Sequence, residues 1–316
     1  MKFKSLLKMC AYKIFKKSLY LLIIGLSNIS IAQQDALYTN YMYNTNIFNP
    51  AYTGTKEIIS VYGMHRSQWA GLDGAPKTSV FSLQTPLNSN LSLGLNFIND
   101  QIGPSDENNL SLDIAYKFPV NEKSFISFGI KTTANLFNVD YQKLNIDDGT
   151  DIEFQNNVDN RFSPNFGAGL YWYSEKHYVG FSIPNFLETE YYNGASTSIS
   201  KQRMHNYIMG GYVFDINESI KLKPAFLAKL IKGAPVQFDT TLNILLYEKF
   251  TIGSAYRWDA SWSGLLGFQI SDILFIGYSY DADNSRLANY NSGSHEFFIR
   301  FEFLSKYTKM LSPRFF

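Results

Sequence analysis

Histidines are the first residues to weigh for chemistry, because an imidazole paired with a carboxylate is the commonest general base. The chain has four: His65, His177, His205 and His295. His295 stands directly before Glu296, but neighbours on an extended strand point to opposite faces, so the two cannot share one proton. The other three sit near expected strand ends without a visible partner. No Gly-x-Ser-x-Gly elbow, His-Glu-x-x-His motif, phosphate loop or dinucleotide fingerprint occurs. Two acidic groups could supply oxygen ligands: Asp147, Asp148, Asp151 and Glu153, and Asp281 with Asp283. Neither follows the Asp-x-Asp-x-Asp-Gly calcium loop, and both read as solvated acids on long connections. The expectation is a non-enzyme with no metal and no cofactor.

The elements that would carry these residues are strands. Between Ile58 and Phe303 the chain divides into fourteen short segments with apolar residues at every second position. In 236–247, Val236, Phe238, Leu242, Ile244 and Leu246 share one face, and Gln237, Asp239, Thr241 and Asn243 share the other. Leu110, Leu112, Ile114, Tyr116 and Phe118 alternate in the same way with Ser111, Asp113 and Lys117. Period two places one face in lipid and the other in a polar interior.

The connections separate a barrel from a sandwich. The second, fourth, sixth, eighth, tenth and twelfth are tight, at 87–90, 121–123, 174–176, 215–218, 248–249 and 271–272; the others are expected to run longer, up to 138–160 and 185–203. Short turns on one side and long loops on the other belong to outer-membrane barrels, whereas Greek-key crossovers would break the parity. The fold expected is all-β: a transmembrane antiparallel up-and-down β-barrel of about 14 strands over 58–303, with residues 33–57 plugging or capping its periplasmic side and 304–316 as a tail. Aromatic residues make up 16% of the chain, yet beyond the N-terminus no stretch is apolar for the roughly 20 residues a membrane helix needs. The excess must therefore be spread over strands, as in aromatic girdles.

Residues 1–32 carry Lys2, Lys4, Lys8, Lys13, Lys16 and Lys17, then an apolar run from Leu19 to Leu26, then Ser30-Ile31-Ala32. This is the pattern of a secretory signal peptide cleaved after Ala32. Its removal leaves 22 basic residues against 27 acidic, a net charge of −5, and withdraws support for nucleic-acid binding. Cys10, the only cysteine, would leave with it, so no disulfide or thiolate site is expected.

Charges on a lipid face cost roughly 2–4 kcal/mol near the midplane. Asp113, Lys117, Lys131, Lys221, Lys223, Asp239, Arg257, Arg300 and Glu302 are therefore assigned to the interior, where they either neutralise one another or line a path.

Three motifs remain. Asn49-Pro50-Ala51-Tyr52-Thr53-Gly54 lies near the expected mature start, Arg66-Ser67-Gln68-Trp69 ends the first strand, and Gly74-Ala75-Pro76-Lys77-Thr78 enters the second. Asn-Pro initiates a turn and Gly54 allows backbone angles closed to other residues. As a set, with the alternating strands and the terminal Ser312 to Phe316, they resemble the PorP/SprF family of type IX secretion outer-membrane proteins. The resemblance implies a non-enzymatic barrel working with the secretion and gliding machinery of Bacteroidetes, in contact with outer-membrane lipid, helping deliver or hold large adhesin-like proteins at the cell surface. Asn49, Pro50, Tyr52, Gly54, Arg66, Gln68, Trp69, Pro76 and Thr78 are the candidates for a plug or a partner contact. A passive porin or small-solute transporter is the alternative, favoured by the mixed charges of the interior; an outer-membrane hydrolase has only the scattered His and Asp residues.

Overall fold

The computed structural model describes residues 38–144, 157–190, 201–202 and 204–303. The expected signal peptide with its cleavage site, the acidic group from Asp147 to Glu153 and the tail after Phe303 lie outside the described residues.

Alternation of residue type becomes alternation of burial. Along 110–116, Leu110, Leu112, Ile114 and Tyr116 are exposed while Ser111, Asp113 and Ala115 are buried. A water-soluble fold does the reverse, so the exposed apolar face is a lipid band. The first seven strands are β1 (Ile59–Ser67), β2 (Lys77–Pro86), β3 (Leu91–Ile102), β4 (Ser105–Asn121), β5 (Ser124–Val139), β6 (Val158–Ser174) and β7 (His177–Ile183). Then come β8 (His205–Tyr212, continued by Phe214–Asn217), β9 (Ile220–Ile231), β10 (Gln237–Leu246), β11 (Phe250–Arg257), β12 (Ser261–Gln269), β13 (Leu274–Asp283) and β14 (Ser294–Phe303). The break in β8 is the buried Val213, whose N–H bonds the Lys176 carbonyl at 2.7 Å.

Every strand pairs antiparallel with its sequence neighbour, and β1 pairs with β14 from Ile59↔Phe303 to Ser67↔His295. The ring is a closed barrel of 14 strands with no free edge. A separate two-residue ladder joins Thr189–Glu190 to Lys201–Gln202.

The six tight turns all fall at the end where β1 begins and β14 finishes. At the opposite end the expected lengthening is uneven: β3 and β4 are joined by Gly103-Pro104 alone, and β11 and β12 by 258–260. Between β3 and β4 the reason is strand height. β4 and β6 have 17 residues and β5 has 16, against 8 in β11. Above the lipid band their pairing continues through amides and carboxylates: Asp106 accepts from Asn99 at 3.1 Å, Gln101 at 2.9 Å and Asn108 at 2.6 Å. Chain expected in loops is therefore a raised polar wall.

Residues 38–57 make no strand. They form three short 3-10 turns, Tyr41–Tyr43, Thr45–Ile47 and Pro50–Tyr52, and all but Ile47, Lys56 and Glu57 are buried. Their partners are inward-facing groups around much of the ring. The sequence placed this segment at the short-turn mouth; it extends further, from Asp281 and Glu296 near the long-connection end to Glu302 and Lys117 near the other.

Candidate functional site

The segment meets the wall through the residues whose types the sequence singled out. Asn49 caps the last turn: its Oδ1 accepts from Ala51 N–H at 3.0 Å, and Pro50 follows at the first position, where its missing N–H is not needed. Its Nδ2 donates to the Leu170 carbonyl at 3.1 Å, so one side chain both closes the turn and ties it to β6. Tyr52 packs edge-on against Tyr171, with centroids 5.5 Å apart, and burial pushes its hydroxyl up to about 12. Gly54 has φ +75°, donates to Gln84 Oε1 at 3.2 Å, and lies so close to Ser92 that a Cβ there would overlap it.

Two wall glycines complete this contact, and sequence reading passed over them. A Cβ on Gly129 would fall on the backbone of Pro50 and Ala51, and one on Gly169 on the Asn49 side chain. A glycine at an inward strand position marks a close backbone approach, which was the available signal.

At the other end Arg66 is fully enclosed. Its guanidinium reaches Asp281 at 2.6 Å and Glu296 at 3.0 Å, and donates to Thr39 Oγ1 at 3.2 Å. Glu296 in turn accepts from the backbone N–H groups of Thr39 and Asn40, both at 3.0 Å, and Thr39 Oγ1 donates to Asp281 at 2.7 Å. Asp281, read as a solvated loop acid, is instead a buried strand residue. The split between His295 and Glu296 holds: Glu296 is enclosed, and His295 faces outward beside the Tyr278 hydroxyl at 2.7 Å.

The first hairpin brings its motifs together. Arg66 and Thr78 are cross-strand partners, the Gln68 N–H bonds the Pro76 carbonyl at 3.0 Å, and Thr78 Oγ1 donates to Asp100 at 2.6 Å. Half-buried Trp69 has φ +46° and donates its N–H to Ser294 Oγ at 3.2 Å, locking the corner to β14.

Eight of the nine assigned charges form local ion pairs, and the ninth, Lys223, meets an aromatic ring. Lys131 lies 3.6 Å from Asp113 and donates to the carbonyls of Asn46 and Ile47 at 3.0 and 2.9 Å; Asp239 pairs with Arg257 at 3.0 Å, and Lys221 with Glu248 at 3.0 Å on the short-turn rim. Glu302 joins Arg300 at 3.0 Å to Lys56 at 2.6 Å, Lys117 pairs with Glu57, and Lys223 lies 5.6 Å over the Tyr178 ring. Burial, with Arg300 nearby, pushes the Lys56 ammonium down to about 8 despite Glu302. Of the nine, Lys117, Lys131 and Glu302 bond the segment itself, and the Arg300 guanidinium lies 5.5 Å over its Tyr43 ring. This connection is invisible in the sequence, because the bonded partners lie up to 246 positions apart.

The segment donates amides to the wall as well, and the wall returns a hydroxyl. Asn44 bonds Ser82 at 2.9 Å, Asn46 bonds Asn96 at 2.6 Å, and the Ser182 hydroxyl donates to the Phe48 carbonyl at 2.8 Å. These explain why a segment so rich in asparagine is buried: each amide satisfies a polar position on the inner face.

A family model described as type IX secretion system membrane protein PorP/SprF matches residues 30–301. No curated protein matches the chain. Solved structures similar to it include the outer membrane protein Omp33 of Acinetobacter baumannii, at 8% identity and TM-score 0.49, covering 79% of this chain and all of that one. The CymD monoaromatic hydrocarbon channel follows at 12% and 0.49, covering 87% and 95%, and the KdgM porin at 9% and 0.38, covering 78% and 99%. Likeness at this level says nothing of what this chain binds or passes.

Proposed function

Because the chain belongs to the type IX secretion system membrane protein family PorP/SprF, we propose that this outer-membrane barrel works by holding another protein rather than by passing solutes. On this reading residues 38–57 are a plug, the end with the long connections faces outward, as in bacterial barrels generally, and the partner is a large secreted adhesin-like protein delivered or anchored at the surface. The mature chain would begin after Ala32.

The observation that carries the reading is the burial of residues 38–57 among charges that a pore would need. Lys131, Lys117 and Glu302, all on the inner face, are spent on the segment instead of on a water path. The competing reading is a passive pore. Planar-bilayer recording of the purified protein separates the two: the plugged barrel gives no steady conductance, whereas a solute-selective open level would favour the pore. In cells, deletion of the gene should deplete a large adhesin from the surface, and unchanged secretion and retention of every such adhesin would sink the proposal.

A further inference from the structure

The segment inside the barrel has a direction. Its first described residues sit at the long-connection end: Thr39 and Asn40 bond Glu296 near the start of β14, and Thr39 Oγ1 donates to Asp281 near the finish of β13. Tyr38 lines a cavity of about 100 Å³ there with Asp100 of β3 and Glu107 of β4. The last residues reach the other mouth, where Lys56 pairs with Glu302 near the finish of β14 and Ile58 leads directly into β1. One strand thus marks both limits, because Glu296 and Glu302 stand about 20 Å apart along β14 at ~3.3 Å per residue. Asn44 falls between them: it bonds Ser82, whose row across the sheet runs through Tyr62 to Arg300.

We propose that the segment is a thread with its free end outward: the chain before Tyr38 leaves by the long-connection mouth, and the processed N-terminus stands at the cell surface. Cleavage after Ala32 leaves five residues, 33–37, ahead of Tyr38. Fully extended they reach at most about 18 Å. That falls short of the inner mouth, and the lumen on that path is occupied by the segment's own buried residues. The two mouths therefore offer different grips. At the inner mouth the segment is covalently joined to β1; at the outer mouth a partner meets its free end. The outward orientation and the cleavage after Ala32 rest on the reading above, whereas the direction of the thread does not.

In a Cys10→Ser background, Gln34→Cys, Asp73→Cys and Glu218→Cys each carry a single thiol, placed ahead of the segment, in the exposed first long connection and in an exposed tight turn. A membrane-impermeant maleimide is applied to intact cells and again after the outer membrane is permeabilised. Gln34→Cys should label on intact cells as Asp73→Cys does, with Glu218→Cys labelled only after permeabilisation. If Gln34→Cys labels only alongside Glu218→Cys, or in neither condition, the thread is overturned; Ala36→Cys repeats the reading should the first variant fail to accumulate. The reverse pattern, with Gln34→Cys and Asp73→Cys waiting for permeabilisation and Glu218→Cys labelled on intact cells, upholds the thread and overturns the outward orientation. The intact mass of the purified chain reads the cleavage separately, and retention of residues 1–32 would overturn the free end.

Discussion

The outer face of the barrel and the segment inside it obey opposite rules. Outside, Leu110, Leu112, Ile114, Tyr116 and Phe118 need only be apolar and face lipid. Inside, Asn49, Arg66 and Gly54 each meet a named atom, and a similar residue will not serve. The lipid face is specified by class and the interior by identity, because a hydrocarbon solvent accepts any apolar shape while a buried polar group must find its partner.

The sharpest break of that comparison is Arg66→Ala. It leaves Asp281 and Glu296 enclosed without their cation, and unfolding in urea should show a loss of about 3–5 kcal/mol. Ile114→Lys attacks the other side. In the middle of the apolar run it should cost about 2–4 kcal/mol, whereas Ile114→Leu should leave the heat-modifiable band on gels where it was; equal costs for both would show that the outer face is as particular as the inner one. Gly129→Val presses a side chain into Pro50 and Ala51, for about 1–3 kcal/mol. If it dislodges the segment, bilayer recordings should gain a conductance that the parent protein lacks.

Asn49→Ala removes the cap and the tie to β6, for about 0.5–2 kcal/mol. Loss of adhesin retention with an unshifted unfolding midpoint would move Asn49 from a structural to a binding role. The smallest effect is a pH slope. Lys56 is held near 8 in the fold, below its ordinary value of about 10.4. Between those values the unfolded chain carries the extra proton, so stability contributed at Lys56 rises as pH climbs through that window. The gain should be on the order of 1 kcal/mol after solvent screening, and Lys56→Met should flatten the slope between pH 8 and 10.

Alternation of side-chain type is a local property with period two, so the sequence by itself determined the strands, their number, the face each turns to lipid and the end that carries the tight turns. It also marked the Asn49–Gly54, Arg66–Trp69 and Gly74–Thr78 motifs as unusual. It could not show that Arg66 closes on Asp281 and Glu296, that Gly129 and Gly169 form the floor under Pro50 and Asn49, or that Asp100 and Glu107 share a cavity wall with Tyr38. Those contacts exist only because closing the ring brings β1 beside β14 and wraps the wall around residues 38–57. The tertiary structure decided them because a buried polar group is satisfied by whichever partner the closed barrel sets against it, at any distance along the chain.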